Sequence, residues 1–248
     1  MAAEFDTVAE WTAEVAARLG PSFYIPAGCR GSGSPAALDW LSDELRLLPD
    51  ETLLDCGAGV GGPAARAARR QSVKPVLVDP EAGACRAARK LFDHPVVCAD
   101  ATALPFDDES FDAAWSLGVL CTVQNQLGVL EELRRMVRPP GRIGLLVYVA
   151  RTPAPSTEQP KGNHFPTPES LADTVEAAGL RVHSWRSITD LEPAPREWQE
   201  RVDAVTAELR DRHGHEEAWQ LAERQSDLVS QLIADSAVSG ELLSLRRV

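Results

Sequence analysis

The sequence predicts an α/β fold built on a doubly wound, mainly parallel sheet, and three observations carry that prediction. Three short apolar runs each end in an acid, at Asp55, Asp79 and Asp100. The first is followed by a glycine turn, Gly57-Ala58-Gly59-Val60-Gly61-Gly62, and then by Pro63, which suits the start of a helix because its missing N–H would lack a partner there. Between the apolar runs lie stretches with apolar residues at helical spacing, the alternation expected of parallel strands joined by crossover helices. Acids at successive strand ends would face the carboxyl edge of such a sheet, where open α/β folds bind ligands.

Residues 5–19 place Phe5, Val8, Trp11, Val15 and Leu19 at helical spacing and stop at Gly20-Pro21, which predicts a first helix. Residues 22–35 are rich in glycine, serine and proline. They read either as a plain linker or as an ordered flap near a ligand, the flap drawing on Tyr24 and Arg30. Ser34-Pro35 has the form of an N-cap with proline at the first helical position, and Leu38, Leu41, Leu45 and Leu48 give that helix a buried stripe up to Pro49-Asp50. The strand ending at Asp55 and the glycine turn lead into a helix over 64–70. Residues 75–79 form the next strand, 81–92 a helix and 96–101 a third strand. Parallel strands buried on both faces look like these unbroken apolar runs.

After a polar turn at 107–112, residues 113–120 read as a fourth strand and its exit. A helix over 125–137 shows Leu127, Leu130, Leu133 and Val137 on one face and stops at Pro139-Pro140-Gly141; 142–149 is a fifth strand. The proline-rich residues 151–165 are a loop. Thr167-Pro168 starts another helix, Gly179 closes it, and 180–188 is a sixth strand. Two helices follow within 195–235. One carries Trp198, Val202, Val205 and Leu209, the other Trp219, Ala222, Val229, Leu232 and Ile233, with His213-Gly214-His215 between them. Residues 241–248 read as a last strand. The division expected is an N-terminal helix and flap at 1–35, a core at 36–190, a helical insertion or lid at 191–239 and a final core strand at 240–248.

At 248 residues, one α/β domain with additions fits best. The net charge of −12, with no basic stripe to offset it, argues against a nucleic-acid partner, because phosphate contact is mostly Lys and Arg work. The five cysteines are odd in number, widely spaced and form no C-x-x-C pair, so neither a disulfide framework nor a zinc site is expected. The first residues lack the basic and apolar runs of a secretion signal, and no apolar run reaches membrane length; a cytoplasmic location is expected.

Gly57, Gly59 and Gly62 match the spacing G-x-G-x-x-G, which alone is a weak signal. Asp55 adds to it. A carboxylate two residues before the first glycine is expected at the mouth of the ligand site, where it would repel a pyrophosphate and suit a sulfonium and an ammonium. S-adenosylmethionine carries both and NAD neither. Asp79 lies about 20 residues past the glycines, where nucleoside-binding folds place the acid that accepts ribose hydroxyls. Capping the helix that follows is the plainer reading, and the two roles are compatible; position and spacing favour the ribose.

Four stretches of the chain resemble class I S-adenosylmethionine-dependent methyltransferases of the small-molecule type. Residues 53–62 resemble the family's glycine motif and Val78-Asp79-Pro80 its ribose-binding acid. Ala99-Asp100-Ala101 with Leu104-Pro105-Phe106 resembles the adenine-binding segment. Residues 111–117 together with 133–141 resemble the fourth-strand motif and the helix that ends in Pro-Gly-Gly. The likeness covers roughly residues 50–185. It departs from the family at Pro140, and at Cys121-Thr122, where many relatives carry a His-His pair.

The resemblance implies a Rossmann-like doubly wound seven-stranded sheet, the last strand antiparallel, with N-terminal helices and a helical insertion before that strand. It implies S-adenosylmethionine as cofactor, held by the backbone of Gly57, Ala58 and Gly59, by Asp79 and Pro80 at the ribose, by Asp100 and Ala101 at the adenine, and around Leu117 at the methionine end. The acceptor expected is a small molecule. If it must lose a proton, His164 is the candidate base, since its loop ends beside the ligand edge of the sheet; packing against Phe165 is the alternative. Tyr24, Arg30, Trp185, Trp198 and Trp219 are candidates for lining the acceptor site, although tryptophans at such spacing are more often core. His213 and His215 have no further ligands near them in sequence, and no metal is expected. Two rival functions are an NAD-dependent oxidoreductase and a protein of the same fold that holds S-adenosylmethionine for a rearrangement, a cyclisation or binding alone.

Overall fold

The computed structural model describes residues 2–151 and 162–248. The N-terminal helix α1 (Ala2–Leu19) is followed by a 3-10 turn (Pro21–Phe23), a short helix α2 (Tyr24–Gly28) and helix α3 (Pro35–Glu44). Then strands and helices alternate: β1 (Thr52–Cys56), α4 (Gly62–Gln71), β2 (Lys74–Asp79), α5 (Ala82–Leu91), β3 (Val96–Cys98), β4 (Ala113–Leu117), α6 (Gln126–Met136), β5 (Arg142–Ala150), α7 (Pro168–Ala177) and β6 (Leu180–Ser187). Helices α8 (Arg196–His213) and α9 (Glu217–Ala234) intervene before the last strand, β7 (Val238–Arg247).

The seven strands form one sheet in the order β3-β2-β1-β4-β5-β7-β6. Pairings from β3 through β5 are parallel, and β7 runs antiparallel between β5 and β6. The expected sheet is therefore observed. Its chain order reverses between β1 and β4, which opens a crevice at their carboxyl ends, the usual ligand position in such folds.

Two-residue alternation decides what each face buries. Leu54, Cys56, Val78, Ala114 and Ile143 pack with Leu130 and Leu133 of α6 and Leu171 and Val175 of α7. Leu53, Ala113, Trp115 and Leu146 face α3 and α4 through Leu38, Leu41, Leu45 and Ala67. The caps read from the sequence form: the Ser34 hydroxyl accepts from Ala37 N at 3.3 Å, and Thr167 and Ser170 make a reciprocal capping box.

Several boundaries differ from expectation. α3 ends at Glu44, and Arg46 takes a left-handed φ of 50°, so the chain turns away and Leu47 is buried while Leu48 is 57% exposed. On α6 the buried stripe is Val129, Leu130, Leu133 and Met136, and Leu127, in the first turn, lies off it at the surface. α4 starts at Gly62, placing Pro63 second in the helix, with the left-handed Gly61 as N-cap. β3 stops at Cys98, leaving Asp100 beyond the strand, and β7 starts at Val238. The loop read over 151–165 lies largely outside the described residues.

Residues 22–35 are not a free linker. The 3-10 turn and α2 bring Gly28 against the start of α4, where a Cβ on Gly28 would lie 2.8 Å from Gly62 N and 2.9 Å from its Cα. α1 docks on α5: Asp6 accepts from Gly83 N, and Arg86 pairs with Glu10. α1 also meets the late helices. Val8, Ala13, Val15 and Ala16 share one apolar cluster with Val205 and Leu209 of α8 and Trp219 of α9. The first and last helical segments thus close into a single cap.

Candidate functional site

The crevice is built around the turn after β1. Gly57 N and Ala58 N both donate to Val78 O, at 2.8 and 3.0 Å, which folds the turn back over the end of β2. Gly57, Gly59 and Gly61 have φ of 78°, 54° and 90°, in the left-handed region where a Cβ is costly. A Cβ on Gly59 would meet nothing within 4 Å, so this glycine borders open space; one on Gly57 would strike Val119 at the exit of β4.

Asp79 pins this turn. Its Oδ2 accepts from Gly59 N at 2.8 Å and its Oδ1 from Glu81 N at 3.0 Å. Ribose binding and helix capping are the two roles expected of it; the structure shows the carboxylate bracing the glycine turn and the entry to α5 together. Burial raises its pKa, and the two backbone N–H groups offset part of that rise. Each carboxylate oxygen has room for a second donor, so the acid can still accept a diol. The neighbouring Pro80 is exposed, and its carbonyl accepts from Cys98 Sγ at 3.4 Å.

Asp55 does not sit at the mouth. It is 1% exposed and lies beneath the turn, on the same face as Trp115 of the paired strand β4. Side-chain alternation turns it towards α4, and the flap closes over that side. Its Oδ2 and the Trp115 Nε1 are both buried without a hydrogen bond. Burial pushes the Asp55 carboxyl up to about 7. The Trp115 indole and Ala64 N–H, close enough to interact although not in good hydrogen-bond geometry, offset part of the rise, and the charge of Asp79 adds to it.

A pH dependence follows. The ordinary value is 3.8, so between about pH 4 and pH 7 the folded chain holds a proton that the unfolded chain has released. Stability is expected to fall as pH rises through that window, by up to about 1.4 kcal/mol per pH unit, and to flatten above it. Urea unfolding from pH 4 to 8 checks this. Asp79, whose carboxyl is also raised, titrates in both proteins, so the stability of the unaltered protein relative to Asp55→Asn should fall across the window, and parallel curves would refute it.

Asp100 is exposed at the same edge, and its Oδ1 accepts from Thr102 N at 2.8 Å and Thr102 Oγ1 at 2.6 Å, which holds its carboxyl below the usual range. Ala101 is buried in the core cluster beneath it. Leu117 ends β4 and is 4% exposed; the next residue, Gly118, donates to Leu146 O at 2.8 Å. His164 is half-buried beside the β4 exit. Its N–H donates to Cys121 O at 2.6 Å and its carbonyl accepts from Gln126 Nε2 at 2.8 Å, so the backbone fixes its place.

The candidate acceptor-lining residues do not converge. Tyr24 packs edge-on against Phe92 in the cluster under α1. Arg30 lies over the Trp219 ring at 5.3 Å, and Trp219 itself is 1% exposed and belongs to the cap's interior. Trp185 is fixed in the sheet, its Nε1 donating to Glu241 at 2.7 Å. Trp198 faces Arg66 at 5.7 Å on the outer side of α4. His213 stacks on Trp11 at 3.9 Å.

The sequence reading missed the clamp on the Asp100–Phe106 loop. Glu132 accepts from Leu104 N at 2.8 Å, while Arg135 donates to Leu104 O and Phe106 O at 2.9 and 2.8 Å. The signal was an acid–arginine pair three apart on α6. Val119, which rests on Gly57, was also missed.

Residues 54–145 match a family described as a methyltransferase domain. The 27-O-demethylrifamycin SV methyltransferase of Amycolatopsis mediterranei (strain S699) is 35% identical over 114 residues, covering 43% of this chain and 42% of that protein. This chain therefore spans less than half the length of that relative. Among solved structures, the cyclase SpnF superposes with a TM-score of 0.66 at 23% identity over 85% of this chain and 79% of its own. The geranyl diphosphate C-methyltransferase of Streptomyces coelicolor A3(2), solved with S-adenosyl-L-homocysteine, gives a TM-score of 0.64 at 18% identity, covering 86% of this chain and 78% of that one. These two likenesses are of fold.

Proposed function

Because this chain carries the core of a class I, S-adenosylmethionine-dependent methyltransferase of the small-molecule type, we propose that it methylates a small-molecule acceptor. One arrangement carries the reading: a glycine turn that borders open space at Gly59 and is braced by the buried carboxylate of Asp79. The residues fit the cofactor. Gly57, Ala58 and Gly59 offer backbone at the turn, Asp79 and Pro80 border the ribose position, Asp100 and Ala101 the adenine, and Leu117 the methionine end. S-adenosylmethionine supplies a methyl group on a cationic sulfur.

The chain's own contribution is placement and charge. Asp79 and the exposed Asp100 give the crevice edge its negative charge, and positioning alone can supply about 7–11 kcal/mol of a barrier. The core at 36–190 with 240–248 holds the cofactor. The cap made by 1–35 and 191–239 covers the acceptor and excludes water. His164, held by its backbone at the β4 exit, takes the proton of a hydroxyl or amine acceptor. The net charge of −12 suits a small-molecule acceptor rather than a nucleic acid. Among the described residues no helix is long and apolar enough to cross a membrane. All five cysteines are free thiols, which suits the reducing cytoplasm.

Incubation with methyl-labelled S-adenosylmethionine and a metabolite extract tests the proposal. Label should appear in an extractable small molecule. Cofactor binding without label transfer would instead favour a rearrangement, a cyclisation or binding alone. In the same assay His164→Ala should slow transfer about a hundredfold with S-adenosylhomocysteine affinity unchanged; an unaltered rate would remove it from the chemistry.

A further inference from the structure

Away from the crevice, on the outer side of α4, a groove of about 380 Å³ opens where flap, core and cap meet. That volume lies within the range of small-molecule sites. Arg66, Arg69 and Arg70 enter it from α4, Arg201 and Trp198 from α8, and Ile25 from α2. Four guanidinium groups around one groove are unusual in a chain of net charge −12.

Their existing partners account for part of this. Arg66 makes a two-pronged pair with Asp39 at 2.8 Å, and Arg70 shares that carboxylate. Burial alone would raise the Asp39 pKa, but the bonds and charges of the two arginines outweigh it and hold the acid low. Arg70 also reaches Asp43 at 3.6 Å, and Arg201 pairs with Glu197 on its own helix. Asp43 and Glu197 are 67% and 75% exposed, so water screens both pairs and little is lost on exchange. Arg69 makes no ion pair or hydrogen bond with the described residues. Arg69 and Arg70 complement the dipole at the end of α4, but that does not explain Arg201 arriving opposite them from α8.

We propose that this groove binds a phosphate-bearing small molecule with an apolar or aromatic portion, at a site separate from the cofactor crevice. Guanidinium forks match phosphate oxygens in geometry as well as charge. Trp198, Ile25 and Pro26 supply an apolar wall beside the cations. Such a ligand would join α2 and α8 to α4, and the inference holds whether or not the crevice transfers a methyl group.

Calorimetry on the full chain, with hexyl phosphate and inorganic phosphate as probes, tests it. Hexyl phosphate should bind one-to-one, and inorganic phosphate at least about tenfold more weakly for want of the apolar contact. The double variant Arg69→Gln/Arg201→Gln should weaken hexyl phosphate at least about tenfold while S-adenosylhomocysteine affinity stays within about twofold. Should the double variant misfold, the single exposed change Arg69→Glu gives the same readout. Absence of saturable binding, or wild-type affinity in the variants, would overturn the site. Equal affinity for the two probes would overturn the apolar part.

Discussion

Asp79→Ala is expected to lower the affinity for S-adenosylhomocysteine by at least about a hundredfold, the loss of two charge-assisted hydrogen bonds at roughly 1.5–3 kcal/mol each. Two effects combine. The proposed contact with the ribose hydroxyls goes, and so does the brace on Gly59 N and Glu81 N that sets the shape of the turn. The folded state should suffer less than the ligand. Burial already penalises this carboxylate, so removing it returns part of its desolvation cost. The melting temperature should therefore drop by only a few degrees, on the scale of about 2–4 °C per kcal/mol for a chain of this size. Titration calorimetry decides the first point, and unchanged affinity would refute the assignment.

Gly62→Ala should produce the largest loss of stability. A Cβ there would lie 2.5 Å from Cys29 N and 2.7 Å from Gly28 O, both backbone atoms that cannot swing aside. Alanine gains up to about 1 kcal/mol of helix propensity over glycine, yet overpacking of this kind costs about 1–3 kcal/mol, and here two main chains must separate. We expect a net loss of about 2 kcal/mol and a melting temperature lower by roughly 4–8 °C, with faster proteolysis within residues 20–34. Gly31→Ala is the comparison: it meets nothing within 4 Å and bears only the strain of its φ of 79°. If Gly62→Ala melts like the unaltered protein, α2 is not seated on α4 as described.

What the sequence made legible was local. The apolar strand runs, the glycine turn, the caps at Ser34 and Thr167 and the spacing of Leu130 and Leu133 all express short-range rules, and each appears in the structure. Of the three acids read as strand ends only Asp79 is one, Asp55 being followed by Cys56 and Asp100 lying past β3. The misreadings depend on partners far along the chain. Asp55 looked like a rim residue because it precedes the turn; Trp115, sixty positions later, helps decide that it is enclosed. Trp219 and Trp185 differ little in sequence context from Trp198, yet one is sealed between α1, α8 and α9 and another is tied to Glu241. Leu48 fell out of its stripe because Arg46 adopts a left-handed conformation that a leucine period does not announce. No periodicity signals that α1 would meet α8 and α9, or that Glu132 and Arg135 would grip the loop after β3.

The position of β7 between β5 and β6 has a consequence for synthesis. On the ribosome, residues 180–187 emerge well before residues 238–247, so β6 has no bonded neighbour until its partner follows. Until then the newly made chain exposes two unpaired strand edges, β5 and β6, and α8 and α9 emerge while that gap is open. Completion of the sheet is a late, long-range event, of the kind that slows folding and invites association between nascent copies.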